Sequence, residues 1–288
     1  MIDLHTHTNR SDGTTSPEAL VHEAKAAGLR AIAITDHDTF DGFWAAESAA
    51  KDNGLELICG IEISTRHQGK VIHLLSYFFD SEPSKSFLDW LYLVQKARKE
   101  RNRQMAKKLQ SLDVDICLEE AESLGRSITG RLHFARAMVA KEIVGSVNEA
   151  FERYLSEDAP GYVAMDEPPL LDAIRVVREA GGLPALAHPV RLGYRQLQEE
   201  EQLLRELRAG GLLGLEVYHS DHSAPIAARY LGLARKHGFC VTGGSDYHGE
   251  AKPNIRLGRG FHGNVRVPYA ILTGMRSLYV YASTRVPA

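Results

Sequence analysis

Histidines and acids stand in or at the ends of short apolar runs of the chain: His5 and His7 with Asp12, His37 between Asp36 and Asp38, Glu62, His73, His188, and Asp246 with His248. Imidazole and carboxylate donors without a thiolate suit Mn²⁺, Zn²⁺ or Fe²⁺, and this donor set exceeds what one tetrahedral ion needs. A cluster of two or three divalent ions is the chemistry it predicts. His-x-His by itself says little, because alternate strand residues share a face and two such histidines can simply be hydrogen-bonded at a strand end. Repetition carries the argument, since nearly every candidate strand ends in such a residue. For His73 the competing reading is a satisfied core histidine.

The elements that must position these groups are short β-branched runs: Ile2 to His5, Ala31 to Thr35, Leu57 to Ile63, Val71 to Tyr77, Pro184 to His188, Leu213 to Tyr218 and Cys240 to Ser245. Helix patterns lie between several of them. Thr15-Ser16-Pro17-Glu18 reads as a capping box with proline inside the start of a helix that stops at Gly28. Phe43 to Asn53 stops at Gly54, and Pro169 to Ala180 stops at Gly181-Gly182. Strands buried on both faces and alternating with helices predict a parallel α/β sheet or barrel, whose strand C-termini gather distant residues into one site.

The alternation breaks between about Pro83 and Pro168. Residues 84–168 therefore read as an inserted helical subdomain, and residues 1–83 and 169–288 as the barrel. The first inserted helix, from Ser84 to Leu112, carries Phe87, Leu91, Val94, Met105, Leu109 and Leu112 around a basic centre. Its basic centre of Lys96, Arg98, Lys99, Arg101 and Arg103 reads as a solvated face, with guidance of a substrate as the lesser alternative.

With 288 residues, 44% hydrophobic and 25% charged, the chain is long enough for a sizeable core and is neither disordered nor fibrous. A net charge of −3 argues against bulk binding to duplex nucleic acid, so an anionic partner must be met locally. Cys59, Cys117 and Cys240 are far apart and form no C-x-x-C, which predicts neither a disulfide framework nor a cysteine zinc site and fits a reducing cytoplasm. Neither an export leader pattern nor an apolar run of membrane-spanning length is expected.

The segments HTHTNRSDG, TDHDT, GIEIS, VIHLL, ALAHP and GSDYHG resemble the successive motifs of the polymerase and histidinol phosphatase (PHP) metal-dependent phosphoesterases. The resemblance implies a distorted seven-stranded (β/α) barrel with a trinuclear metal site. It implies His5, His7, Glu62 and Asp246 on one ion, Glu62 with His73 and His188 on a second, and Asp12, His37 and His248 on a third, most commonly Mn²⁺. The segments TGRLHFARAMV, GLEVYHSDHS and KPNIRLG further resemble a stand-alone subgroup acting on 3′,5′-nucleoside bisphosphates and, from the 5′ end, on short RNA, with the helical insertion capping the metals. One departure is visible: the common Gly-Arg-Pro-His is Gly130-Arg131-Leu132-His133 here, which relaxes the backbone restraint before His133.

Within that frame Arg131, His133 and Arg136 are candidates to grip a phosphate, because a guanidinium fork matches phosphate oxygens. For Arg136 the alternative is a surface ion pair. His219 and His222 are candidates for substrate contact or for support of the ligands, and Asp38 and His219 for the leaving-group acid. His22, His67, His237 and His262 read as surface residues. The expected reaction is hydrolysis of a phosphate ester by a metal-bridging hydroxide attacking in line with the leaving oxygen. The expected substrate is a nucleotide or short RNA end rather than duplex DNA or a membrane. Alternatives are a histidinol-phosphate phosphatase and a non-catalytic, metal-stabilised RNA-binding protein. An amidohydrolase would need a metal-bridging lysine that no strand end supplies.

Overall fold

The computed structural model describes residues 1–79, 82–194 and 196–283. The apolar runs form one sheet hydrogen-bonded in chain order: β1 (Ile2–Thr6), β2 (Ala31–Ile34), β3 (Glu56–His67), β4 (Lys70–Phe78), β5 (Leu183–Leu186), β6 (Gly214–Tyr218) and β7 (Cys240–Gly243). β1, β2 and β5 are buried along their whole length, as strands covered on both faces must be. Helices α1 (Pro17–Ala26) and α2 (Asp41–Asp52) follow β1 and β2, and α7 (Leu170–Glu179) precedes β5. Then α8 (Leu197–Ala209), α9 (Ala224–His237) and α10 (Tyr269–Ser283) follow β5, β6 and β7. The cap of α1 is one residue later than the sequence suggests. Ser16, not Thr15, is the N-cap, and its hydroxyl accepts from the Ala19 backbone at 3.2 Å.

The sheet is not wholly parallel. β4 runs antiparallel to both β3 and β5, because β3 continues to His67 and only Gln68 and Gly69 separate it from β4, far too few residues for a parallel crossover. Both take positive φ, 48° and 80°, which suits a tight hairpin turn. Reversal places His73 in the first half of β4 and Glu62 in the middle of β3, at the end of the sheet where the parallel strands finish.

The sheet curls until β1 meets the segment after β7. His7 N donates to Tyr247 O and Asp246 N donates to His5 O, both at 2.9 Å. Gly244 makes this seam possible, since a Cβ there would run into the backbone of His5. The buried Asp3 carboxylate fastens the seam, accepting from Ser245 N at 2.8 Å and Gly258 N at 2.7 Å. Closing the barrel is thus the event that brings His5 and His7 beside Asp246 and His248.

Between β4 and α7 lie α3 (Lys85–Gln110), α4 (Leu118–Leu124), α5 (Arg131–Ala140) and α6 (Val147–Ala150), the last running into a π-helical turn at Phe151–Leu155. The first half of α3 packs Phe87 and Leu91 into the cluster that holds Ile63 and Phe78 of the sheet and Ile174 and Val177 of α7. Its second half joins Met105 and Leu109 to Ile116, Phe134, Met138 and Leu155. Leu112 lies past the helix end and is 39% exposed, outside the apolar stripe assigned to it. Among the described residues no helix is long and apolar enough to cross a membrane.

Candidate active site

Glu62, 1% exposed, is the hub. Its Oε2 lies 3.2 Å from His5 Nε2, 3.1 Å from His7 Nε2 and 3.4 Å from His37 Nδ1. Its Oε1 lies 3.0 Å from His73 Nδ1 and 2.9 Å from His188 Nε2. Asp246 Oδ1 approaches His5 and His7 Nε2 at 3.5 and 3.4 Å, while Asp12 Oδ1 stands 3.2 Å from His248 Nε2 and Asp12 Oδ2 3.7 Å from His37 Nε2. All the ligand positions expected from the sequence therefore converge. His188 and Asp246 reach theirs, and Asp38 its place beside His37, with φ of 27°, 56° and 52°, a conformation that is strained for residues other than glycine.

The donors fit a cluster of cations. His7, Asp12, His37 and His248 offer ligand atoms within 4.8 Å of one another, as do His5, His7 and Glu62, and His37, Glu62 and His73. His5 Nε2, both ring nitrogens of His7, and His37 Nδ1 are buried without a hydrogen bond although each faces carboxylate oxygens. Orphaned donor atoms of this kind are uncommon unless something else satisfies them. His219 adds to the set: its Nε2 is likewise orphaned, 3.3 Å from Asp246 Oδ2, and groups with His5 and Asp246.

Charge in the cluster is arranged to receive cations. Burial works against the charged form of Glu62 and Asp246. The facing groups outweigh it, the rings of His37, His5 and His73 for the first and Lys252 and His248 for the second, so both stay well below the usual carboxylate range. Burial carries His37 and His188 down to about 3, leaving neutral rings with free lone pairs. Against its burial, the facing carboxylates of Asp246 and Glu62 lift His7 to about 9.

Around the candidate ligands stand groups to which the sequence reading gave no role. Glu216, fully buried in β6, accepts from His188 N at 2.6 Å and pairs with His5 Nδ1 at 2.9 Å, so one carboxylate holds the ring of His5 and the backbone of His188. An acid between Leu215 and Val217 in a buried strand was the available signal, since a buried charge needs partners. Asp36 holds the loop carrying Asp12 by accepting from Thr8 N at 2.7 Å and from the Ser11 hydroxyl at 2.6 Å. Arg191 and Lys252 both donate to Asp246 Oδ2, at 3.0 and 2.7 Å. Lys252, six residues past Asp246, thus brings a lysine to the site although no strand end carries one.

A cavity of about 200 Å³ opens beside the cluster. Asp12, His37 and His73 form its barrel side, and Arg98, Arg101, Arg131, His133, Phe151 and Tyr162 its helical side. The basic centre of α3 is therefore not wholly solvated: Arg101 is 6% exposed, and Arg98 pairs with Asp38. Burial, with Arg98 and Arg131 close by, pulls Arg101 down to about 9, still cationic at neutral pH. Of the expected phosphate contacts, Arg131 and His133 line the cavity, whereas Arg136 donates to the Asp12 carbonyl at 3.1 Å. His222 is turned away, its Nδ1 on Val217 O at 2.8 Å and its ring against Tyr230. Asp38 is buried, with Oδ1 accepting from Ser64 N at 2.8 Å and Oδ2 from Arg98, so both oxygens are occupied and the residue anchors that arginine.

A PHP domain model matches residues 3–163. The chain is 33% identical over 247 residues to a 5′-3′ exoribonuclease of Haemophilus influenzae, covering 85% of this chain and 89% of that one. It is 31% identical over 250 residues to a 3′,5′-nucleoside bisphosphate phosphatase of Chromobacterium violaceum, covering 86% and 87%. The crystal structure of a Bifidobacterium adolescentis protein assigned as a metal-dependent phosphoesterase superposes with a TM-score of 0.84 at 32% identity, covering 96% of this chain and 95% of the other. Sequence, barrel and histidine–carboxylate cluster agree, and the chain belongs to the PHP family as a metal-dependent phosphoesterase, a phosphoric ester hydrolase.

Proposed function

We propose that the protein removes a phosphate from a nucleotide carrying phosphates at both its 3′ and 5′ positions, or cleaves short RNA from its 5′ end. The observation that carries this reading is the cavity whose one side is Asp12, His37 and His73 and whose other side is Arg98, Arg101 and Arg131. Phosphate oxygens there meet guanidinium forks while the phosphorus faces the cluster. Phe151 and Tyr162 add aromatic surface for a base. The names of the two curated relatives point to the same substrates.

His5, His7, Glu62 and Asp246 hold one divalent ion in this reading, Glu62 with His73 and His188 a second, and Asp12, His37 and His248 a third; the donors suit Mn²⁺, Fe²⁺ or Zn²⁺, and the family resemblance favours Mn²⁺. His219 supports the first from beside Asp246. Such ions lower the pKa of water toward about 7 and neutralise phosphate charge. The protein's own side chains do the rest: Arg101 and Arg131 bind, Arg98 is positioned by Asp38, and Arg136 steadies the Asp12 loop. Residues 84–168 act as the cap that completes the phosphate pocket over a barrel made of 1–83 and 169–288. Three free cysteines support a reducing cytoplasm as the compartment.

The test is release of inorganic phosphate from adenosine 3′,5′-bisphosphate by Mn²⁺-loaded protein, with Asp246→Asn and a chelator-treated sample alongside. Release by the loaded wild type alone supports the reading. Silence here with release from histidinol phosphate would replace the nucleotide by that alternative, and full activity after chelation would overturn the metal assignment.

A further inference from the structure

Resting on the nucleotide reading above, a second feature extends it. A groove of about 430 Å³ adjoins the cavity and shares Arg98 and Ile128 with it as a common wall. Tyr92, Gln95, Lys96, Lys99 and Asn102 of α3 form one side, and Arg126 and Ser127, in the turn after α4, belong to the other. Tyr92, Lys96 and Lys99 are spaced to share one helix face. Tyr92 is 63% exposed, and Lys96, Lys99 and Arg126 are exposed as well.

The exposed cations lining the groove are not neutralised by ion pairs among the described residues. Elsewhere on α3 Lys85 pairs with Asp89 and Arg103 with Glu100. Lys96, Lys99 and Arg126 make no ion pair among the described residues, and Glu122 is the one acid among the residues lining the groove. A molecule with net charge −3 has thus gathered unneutralised cations beside an exposed aromatic ring, directly against its phosphate pocket. Cations that track a backbone, with an aromatic platform for a base, are what single-stranded nucleic acid recognition uses. The main cavity, at about 200 Å³, is smaller than ordinary ligand clefts of about 300–1,000 Å³, so an oligonucleotide must extend beyond it.

We propose that this groove is a binding track for the chain continuing 3′ from a terminal nucleotide held in the cavity, so that the enzyme engages single-stranded oligonucleotides beyond the residue it attacks. Lys96, Lys99 and Arg126 contact backbone phosphates, and Tyr92 stacks on a base. Three such contacts make binding fall about twentyfold as monovalent salt rises from about 50 to 200 mM.

The experiment uses Mn²⁺-loaded protein and a fluorescent single-stranded RNA pentanucleotide with phosphorothioate linkages, followed by anisotropy. Phosphate release from adenosine 3′,5′-bisphosphate is measured in parallel. The triple variant Lys96→Glu/Lys99→Glu/Arg126→Glu, altered only at exposed positions, is expected to bind the pentanucleotide at least tenfold more weakly, to lose the part of its salt dependence due to these three contacts, and to keep the KM for the bisphosphate. Tyr92→Ala is expected to weaken the pentanucleotide alone. An unchanged pentanucleotide affinity in the triple variant, an equal loss for both ligands, or equal competition by an RNA duplex of the same length would overturn the track. Salt-dependent pentanucleotide binding without phosphate release from the bisphosphate would leave the track standing and overturn the nucleotide phosphatase reading instead.

Discussion

Arg98 of α3 lies against the carboxylate of Asp38, with Nε 3.0 Å from Oδ2 and Nη2 on the same oxygen and 2.7 Å from the Ser64 hydroxyl. Asp38 is fully buried and the arginine side chain 12% exposed, so the pair stitches the helical segment to the loop that carries His37. Arg98→Ala leaves a buried carboxylate without its partner and is expected to cost about 3 kcal/mol of unfolding free energy in urea. Removing both groups in Arg98→Ala/Asp38→Ala should cost less than the two single losses added together. Strict additivity would mean the pair is not coupled.

Glu216 is held down to about 2, against its burial, by His5 and His219. Because the same carboxylate orients His5 and the backbone of His188, Glu216→Gln keeps the shape and loses the charge. Metal affinity measured by calorimetric titration should fall about 10- to 100-fold with little change in the circular dichroism spectrum. An unchanged affinity would remove Glu216 from the support of these ligands.

Alkaline stability tests buried groups on the barrel away from the cavity. Burial pushes the Cys59 thiol and the Tyr77 hydroxyl up, and Cys240 up to about 12. Each raised group keeps its proton in the fold after the unfolded chain has released it, so its stabilisation is complete below the unfolded value and is lost as pH rises through the folded one. Unfolding free energy should decline above about pH 9, by about 1.4 kcal/mol per pH unit for each group that remains protonated. Tyr77→Phe, which also removes the hydroxyl's 2.9 Å bond to Leu4 O, should flatten the decline above about pH 10. A slope identical to wild type would show that Tyr77 titrates alike folded and unfolded.

The histidine–carboxylate set and the fold class were legible in the sequence because both are local facts. A buried strand reads as an apolar run, and His5, Glu62 and Asp246 interrupt such runs where a purely structural strand has no use for them. The inward side of α3 was legible too in Phe87, Leu91, Met105 and Leu109, which recur at helical spacing. Helical spacing says which residues share a face but not what that face meets, and so Arg98 and Arg101 read as solvated until α3 was laid beside the barrel mouth. The reversal of β4 depended on two turn residues with positive φ, and the convergence of Asp246 on His5 depended on a seam between chain segments some 240 residues apart. Glu216, Arg191 and Lys252 carry no local mark of their partners. Only the closed barrel decides which carboxylate a given side chain meets, because a buried charge is defined by what surrounds it in space.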